Sequence, residues 1–295
     1  MFFKKPDTLA NQAENKNFFR TATAWQGSVT PQVLPRVAVT ALYSLAIVWL
    51  SKLFPRFSID ITPFEFSGAA LGLLLVQRMN SGMDRWWEAR KMWGSIVNQS
   101  RNLAIVASTY RGKKDALTQK LLIWVAAWPH VMRGSLRNEP DVPEVTRLLG
   151  AEEAAKVQRA VHPPSYVAVQ IAETLFAMRK DGLDDFAFHR AESERGMLID
   201  AIGACERIRN TPIPLVLAIK TRRFILLFLL LLPLALIERL DYLTPLVVVL
   251  ASYPLFSLDE IGAELQNPFS PRNLSHLPLL AICNKIEKDV LDLAK

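Results

Sequence analysis

The chain has 295 residues, of which 51% are apolar and 21% charged, with a formal net charge of +7. That length allows about two ordinary domains, and the mixture fits a chain that is part membrane-embedded and part water-exposed. Two cysteines, Cys205 and Cys283, exclude a disulfide framework and read as small buried hydrophobes.

In chain order, Met1 to Asn17 is polar and lacks the positive-then-apolar layout of a cleavable signal, so membrane insertion is expected to use retained internal segments. The first apolar segment is Val37–Phe54, whose one charge, Lys52, lies near the end where it can snorkel to an interface. The second, Ile61–Gln77, comes after only Pro55–Asp60, so the two predict a tight helical hairpin. Thr62-Pro63-Phe64-Glu65 reads as a capping box with proline at the first helical position. Ala69, Leu73 and Gln77 stand at steps of four, on one helical face over about 12 Å of rise. Taken alone, that face describes a seam where Gly68, Ala69 and Gly72 let helices approach closely.

The middle of the chain reads as helices over Met83–Tyr110, Lys113–Arg133, Val145–Val161, Ser165–Arg179 and Asp184–Asn210. Asp184-Asp185 sits where a helix begins and negative charge is favoured. Asn210-Thr-Pro-Ile-Pro214 stops one helix and starts the next. A second apolar pair comes next, Phe224–Ile237 and Leu243–Leu258, joined by Glu238–Tyr242. Leu277–Leu293 closes the chain as a short amphipathic helix.

These elements predict an all-α, multi-pass membrane protein with four transmembrane helices and a large cytosolic helical region. The divisions are 1–36, 37–77, 78–223, 224–258 and 259–295. Orientation comes from charge. Residues 78–223 carry 23 Lys/Arg against 16 Asp/Glu, and residues 1–36 carry five against two. The hairpin tips hold only Lys52, Arg56 and Arg239. The positive-inside rule then places both termini and the middle in the cytoplasm, with the tips outside.

No Gly-rich phosphate loop, nucleophile elbow or zinc-protease motif occurs, and His130, His162, His189 and His276 are dispersed. No enzyme and no cofactor is expected. Basic residues interleave with acids and no nucleic-acid module is recognisable, so nucleic acid is not an expected partner. Asp259, Glu260 and Glu264 form the one acidic group that a hard cation suits, although an ion-paired face explains them as well. Trp86, Trp87 and Trp93 suit an interface belt or a helix seam.

Arg78-Met-Asn-Ser-Gly-Met-Asp-Arg-Trp-Trp-Glu-Ala-Arg-Lys-Met-Trp-Gly94 resembles the bestrophin signature. Trp25-Gln-Gly-Ser-Val29, Cys205-Glu-Arg207 leading to Thr211-Pro-Ile-Pro214, Asp259–Phe269 ending in Asn-Pro-Phe, and Leu277-Pro-Leu279 agree in order. The likeness covers nearly the whole chain and is nearest the short prokaryotic branch, which implies a bacterial inner membrane. It implies a homopentamer around a central pore, passing small monovalent ions. Chloride or another anion is expected, a sodium- or potassium-type cation channel of the same family is the alternative, and a poreless membrane-anchored scaffold is the rival from another class. On this resemblance Ala69, Leu73 and Gln77 become the pore neck, Phe186 the cytosolic constriction, and Glu65 a candidate for the outer mouth. The neck departs from the family's bulky apolar pattern, leaving Leu73 as its apolar ring. Ser270-Pro-Arg-Asn273 stands where animal members carry an acidic run, so calcium dependence is not expected.

Overall fold

A computed structural model describes residues 18–54 and 59–293. Met1 to Asn17 and the part of the first hairpin tip that holds Arg56 lie outside the described residues. Within them there are helices and no strands: α1 (Phe18–Ala22), α2 (Thr30–Leu53), α3 (Thr62–Tyr110), α4 (Ala116–Arg137), α5 (Pro143–Leu149), α6 (Ala151–Arg159), α7 (Pro163–Lys180), α8 (Asp185–Asn210), α9 (Leu215–Leu240), α10 (Thr244–Glu264) and α11 (Leu279–Leu293). The expected all-α class is therefore observed.

The local chemistry explains most boundaries. Asp115 and Asp184 accept the backbone N–H groups of Thr118 and Ala187, capping α4 and α8. Asn138 ends α4 in the left-handed region at φ 52°. The expected single helix over Val145–Val161 is two helices, because Gly150 at φ 82° turns the chain between α5 and α6. The break after Asn210 falls where the prolines predict it.

The largest departure from a segment-by-segment reading is α3. Its 49 residues run unbroken through Gln77 and Arg78, a rod of about 73 Å. It joins two separate apolar cores. The smaller holds Leu71 and Leu75 of α3, Ile225, Leu229, Leu232 and Leu236 of α9, and Val248 of α10. Helix α2 lies along α10 through Val33, Val37, Ser44 and Val48, with the Thr40 hydroxyl donating to Ser252 Oγ at 3.2 Å. The outer faces carry exposed Val39, Leu42, Trp49, Leu226, Leu227 and Leu250. Among the described residues one helix, α2, is long and apolar enough to cross a membrane by its own composition.

The larger core is built from the second half of α3 with α4, α7, α8 and α11 around Trp93, Trp128 and Phe269. Both cysteines lie in it, and burial pushes the Cys205 thiol up to about 12. Helix α11 docks on α4 by Ile282, Cys283 and Ile286, and His130 of α4 is fully buried beneath it. The His130 Nε2–H donates to Glu287 at 2.9 Å, which leaves Nδ1 bare and without a partner. Burial holds His130 below its ordinary pKa of 6.5, outweighing Glu144 and Glu287, while Arg133 acts in the same sense as burial. The unfolded chain then binds more protons, so this contribution to stability is complete above pH 6.5 and declines as pH falls through the folded value. Unfolding titrations between pH 7.5 and 5.5 should show a His130→Gln variant missing a slope of at most about 1.4 kcal/mol per pH unit present in the parent. Identical slopes would remove His130 as its source.

Candidate functional site

The upper half of α3 has two opposed faces. Leu71, Leu75, Arg78 and Gly82 are buried against α9 and α10. At 100° per residue the opposite side carries Phe66, Ala69, Leu73, Gln77, Asn80, Asp84 and Trp87, and all seven are exposed. Leu73 is 73% exposed. The three sequence-predicted neck residues thus lie in one line on a face that no other helix among the described residues covers. A Cβ on Gly68 would meet the Phe228 ring at 3.5 Å, whereas one on Gly72 would meet open space. The close-approach seam is therefore confined, within one chain, to Gly68.

Glu65 is exposed on the same face, and its reading as half of a capping box is corrected. Thr62 is already helical, and Asp60 Oδ1 accepts both the Thr62 N–H and the Thr62 hydroxyl at 2.9 Å. A carboxylate two residues upstream has taken the donor that Glu65 was expected to take, so Glu65 carries no capping bond.

Phe186 is the second residue of α8 and is 85% exposed. Asp184 is engaged by its capping bond and Asp185 by Arg179 at 2.7 Å. Helix α8 runs antiparallel to α3: Arg85 contacts the carbonyls of Ile208 and Thr211, while Arg111 at the far end of α3 reaches Met178 and Asp181. Phe186 therefore belongs to the other end of the rod, about 33 Å of helix rise from Ile208.

Of the signature residues, Arg78, Gly82, Arg85, Trp86 and Trp93 face away from the exposed stripe and fix α3 in place, a role that spacing alone did not disclose. Arg78 Nη1 lies 2.9 Å from Asp259 Oδ1, and Arg222 Nε donates to Asp259 Oδ2 at 2.9 Å, tying α3, α9 and α10. Four residues on, a Cβ at Gly82 would stand 3.0 Å from Leu265 Cβ and 3.1 Å from the Gly262 carbonyl, tighter than ordinary van der Waals contact, so glycine suits this close approach of α3 to α10. Arg85 donates to the carbonyls of Gln266 at 3.1 Å, Thr211 at 2.8 Å and Ile208. The Trp86 indole N–H donates to Ser275 O at 2.7 Å, and Trp93 is fully buried.

The acidic trio is not brought together as a cation site. Asp259 sits between two arginines, Glu260 pairs with Arg36 at 2.7 Å, and Glu264 accepts the Leu274 N–H in the turn after α10. Each carboxylate has a cationic or N–H partner that offsets its burial, and no three His, Cys, Asp or Glu among the described residues are placed to hold a metal.

Residues 10–292 match the family described as Bacterial/Fungal Bestrophin protein. The chain is 32% identical over 281 residues to the voltage-dependent anion channel-forming protein YneE of Escherichia coli K12, spanning 94% of this chain and 92% of that one. It is 34% identical over 283 residues, with the same shares, to a voltage-dependent anion channel-forming protein of Nostoc. Its fold superposes on the crystal structure of a bacterial bestrophin homologue from Klebsiella pneumoniae with a TM-score of 0.83 at 27% identity, covering 89% of this chain and 98% of that one. With the signature residues bracing one continuous helix and the match running almost end to end, the chain belongs to the bacterial and fungal bestrophin family.

Proposed function

We propose that the protein is a passive anion channel, built as a homopentamer with the exposed face of α3 turned to a central pore. The observation that carries this reading is that face, which runs from Phe66 to Trp87 and is covered by no other helix among the described residues. Relatives matching 94% of the chain that are named as voltage-dependent anion channel-forming proteins support the ion's sign. In the proposed assembly α2, the first half of α3, α9 and α10 cross the membrane, their exposed leucines and valines facing lipid or neighbouring copies. The larger core and both termini lie in the cytoplasm, in keeping with the excess of Lys and Arg. Ala69, Leu73 and Gln77 form three stacked rings, of which Leu73 is the apolar one that gates by dewetting. Phe186 forms a second ring at the far end of the rod, and Glu65 lines the outer mouth.

The test is the reversal potential of purified protein in planar bilayers under a KCl gradient, expected near the chloride equilibrium potential. A value near the potassium potential would overturn the anion reading, and pentameric protein that passes no current even as the Leu73→Ala variant would favour a poreless scaffold. Leu73→Ala is expected to raise basal current severalfold, because five shortened side chains widen and wet the apolar ring. Single-channel behaviour identical to the parent would remove Leu73 from the neck.

A further inference from the structure

Between Arg78 and Arg90, α3 carries five charged side chains, and three are engaged within the chain. Arg78 is held by Asp259, Arg85 by three carbonyls, and Glu88 by Arg207 at 2.7 Å. Asp84 differs. It is exposed, and among the described residues it makes no hydrogen bond or ion pair. Its azimuth is the one that matters: eleven residues after Leu73 is three turns and only about 20° of rotation, so Asp84 stands on the Leu73 line. It lies about 10 Å of rise beyond Gln77, on the side toward the larger core. Lys91, two turns further, is the next charge on that line.

We infer that Asp84 is a specificity-determining residue of the conduction path, a ring of carboxylates just inside the neck that impedes anions arriving from the cytosolic side. This rests on the proposed orientation of α3 toward a pore that passes anions. The physics is one of position. A charge beyond the neck depletes anions at that mouth only, while anions approaching from outside reach Leu73 before they meet it. The ring therefore makes chloride efflux smaller than chloride influx at matched driving force, which is rectification without a moving part. Because Asp84 is exposed and unpartnered, removing its charge takes nothing from the fold. Arg85 beside it is turned to the opposite face and bound there, so it does not neutralise the ring.

The experiment compares wild type, Asp84→Asn and Asp84→Glu in planar bilayers with symmetric KCl at about 0.1 M and about 1 M, where the Debye lengths are about 10 Å and 3 Å. Asp84→Asn is expected to raise the efflux current at the lower salt by up to about tenfold, the low end of what a focused charge does to an association rate. Its rectification should fall, and Asp84→Glu should resemble wild type. The wild-type rectification itself should shrink at the higher salt, a readout that needs no variant. Wild-type and Asp84→Asn currents that rectify alike at the lower salt would overturn the inference while leaving the channel intact. Under the KCl gradient described above, a reversal at the potassium potential, or in symmetric salt an Asp84→Asn variant with reduced current, would instead mark failure of the anion reading beneath it.

Discussion

Asp259→Ala is expected to destabilise the folded chain by about 3–5 kcal/mol, the cost of removing one partner of a buried ion pair. Arg78 is 3% exposed and the Asp259 side chain 4%, so neither charge is served by water. Without Asp259, the Arg78 guanidinium keeps one long contact, Nη1 to the Ala218 carbonyl at 3.5 Å, while its Nε already lacks a partner. Arg222, whose side chain is half exposed, loses little because water can solvate it. Asp259→Asn keeps the shape and one acceptor and should fall between. Removing both charges, as Arg78→Met with Asp259→Leu, should recover most of the loss, since an apolar pair of similar volume carries no desolvation penalty. Thermal or denaturant unfolding of the solubilised protein decides this. A single Asp259→Ala variant within about 1 kcal/mol of wild type would mean that the pair is solvated.

Arg85→Ala should cost roughly 3–5 kcal/mol, two or three charge-assisted hydrogen bonds counted with allowance for non-additivity. Its guanidinium fork serves three carbonyls at once: Ile208 and Thr211 where α8 ends, and Gln266 just after α10. The last carbonyls of a helix have no intrahelical donor, and a cation there also meets the negative end of the helix dipole. Arg85→Lys should recover less than half of the loss, because one ammonium on a flexible stem cannot reach three acceptors held in a fork. Hydrogen exchange gives the sharper reading. Protection should fall first near residues 208–213 and 266–270, and a uniform loss across the chain would sink the idea of a local double cap.

Much of the helical layout is legible from neighbouring residues alone, since that information is local. Prolines at 212 and 214 cannot continue a helix, Asp184 can cap only a helix that begins just after it, and steps of four from Ala69 to Gln77 must share a face. Family membership was equally legible, carried by residues in order from Trp25 to Leu279. The partner of each polar group, by contrast, depends on how the helices pack. Nothing near Arg78 in sequence says that α3 continues through it; Asp259, from a helix formed much later in the chain, makes a buried arginine tolerable there. The same competition for partners took the Thr62 N–H from Glu65 and gave it to Asp60, and drew Asp259, Glu260 and Glu264 to three separate partners instead of one cation. It also left Asp84 alone on the exposed face. Backbone propensity and hydrophobic period act over a few residues, so a short stretch of sequence suffices to read them. Charge pairing is settled only when distant helices meet, because a buried charge takes whichever partner the packing brings within about 3 Å.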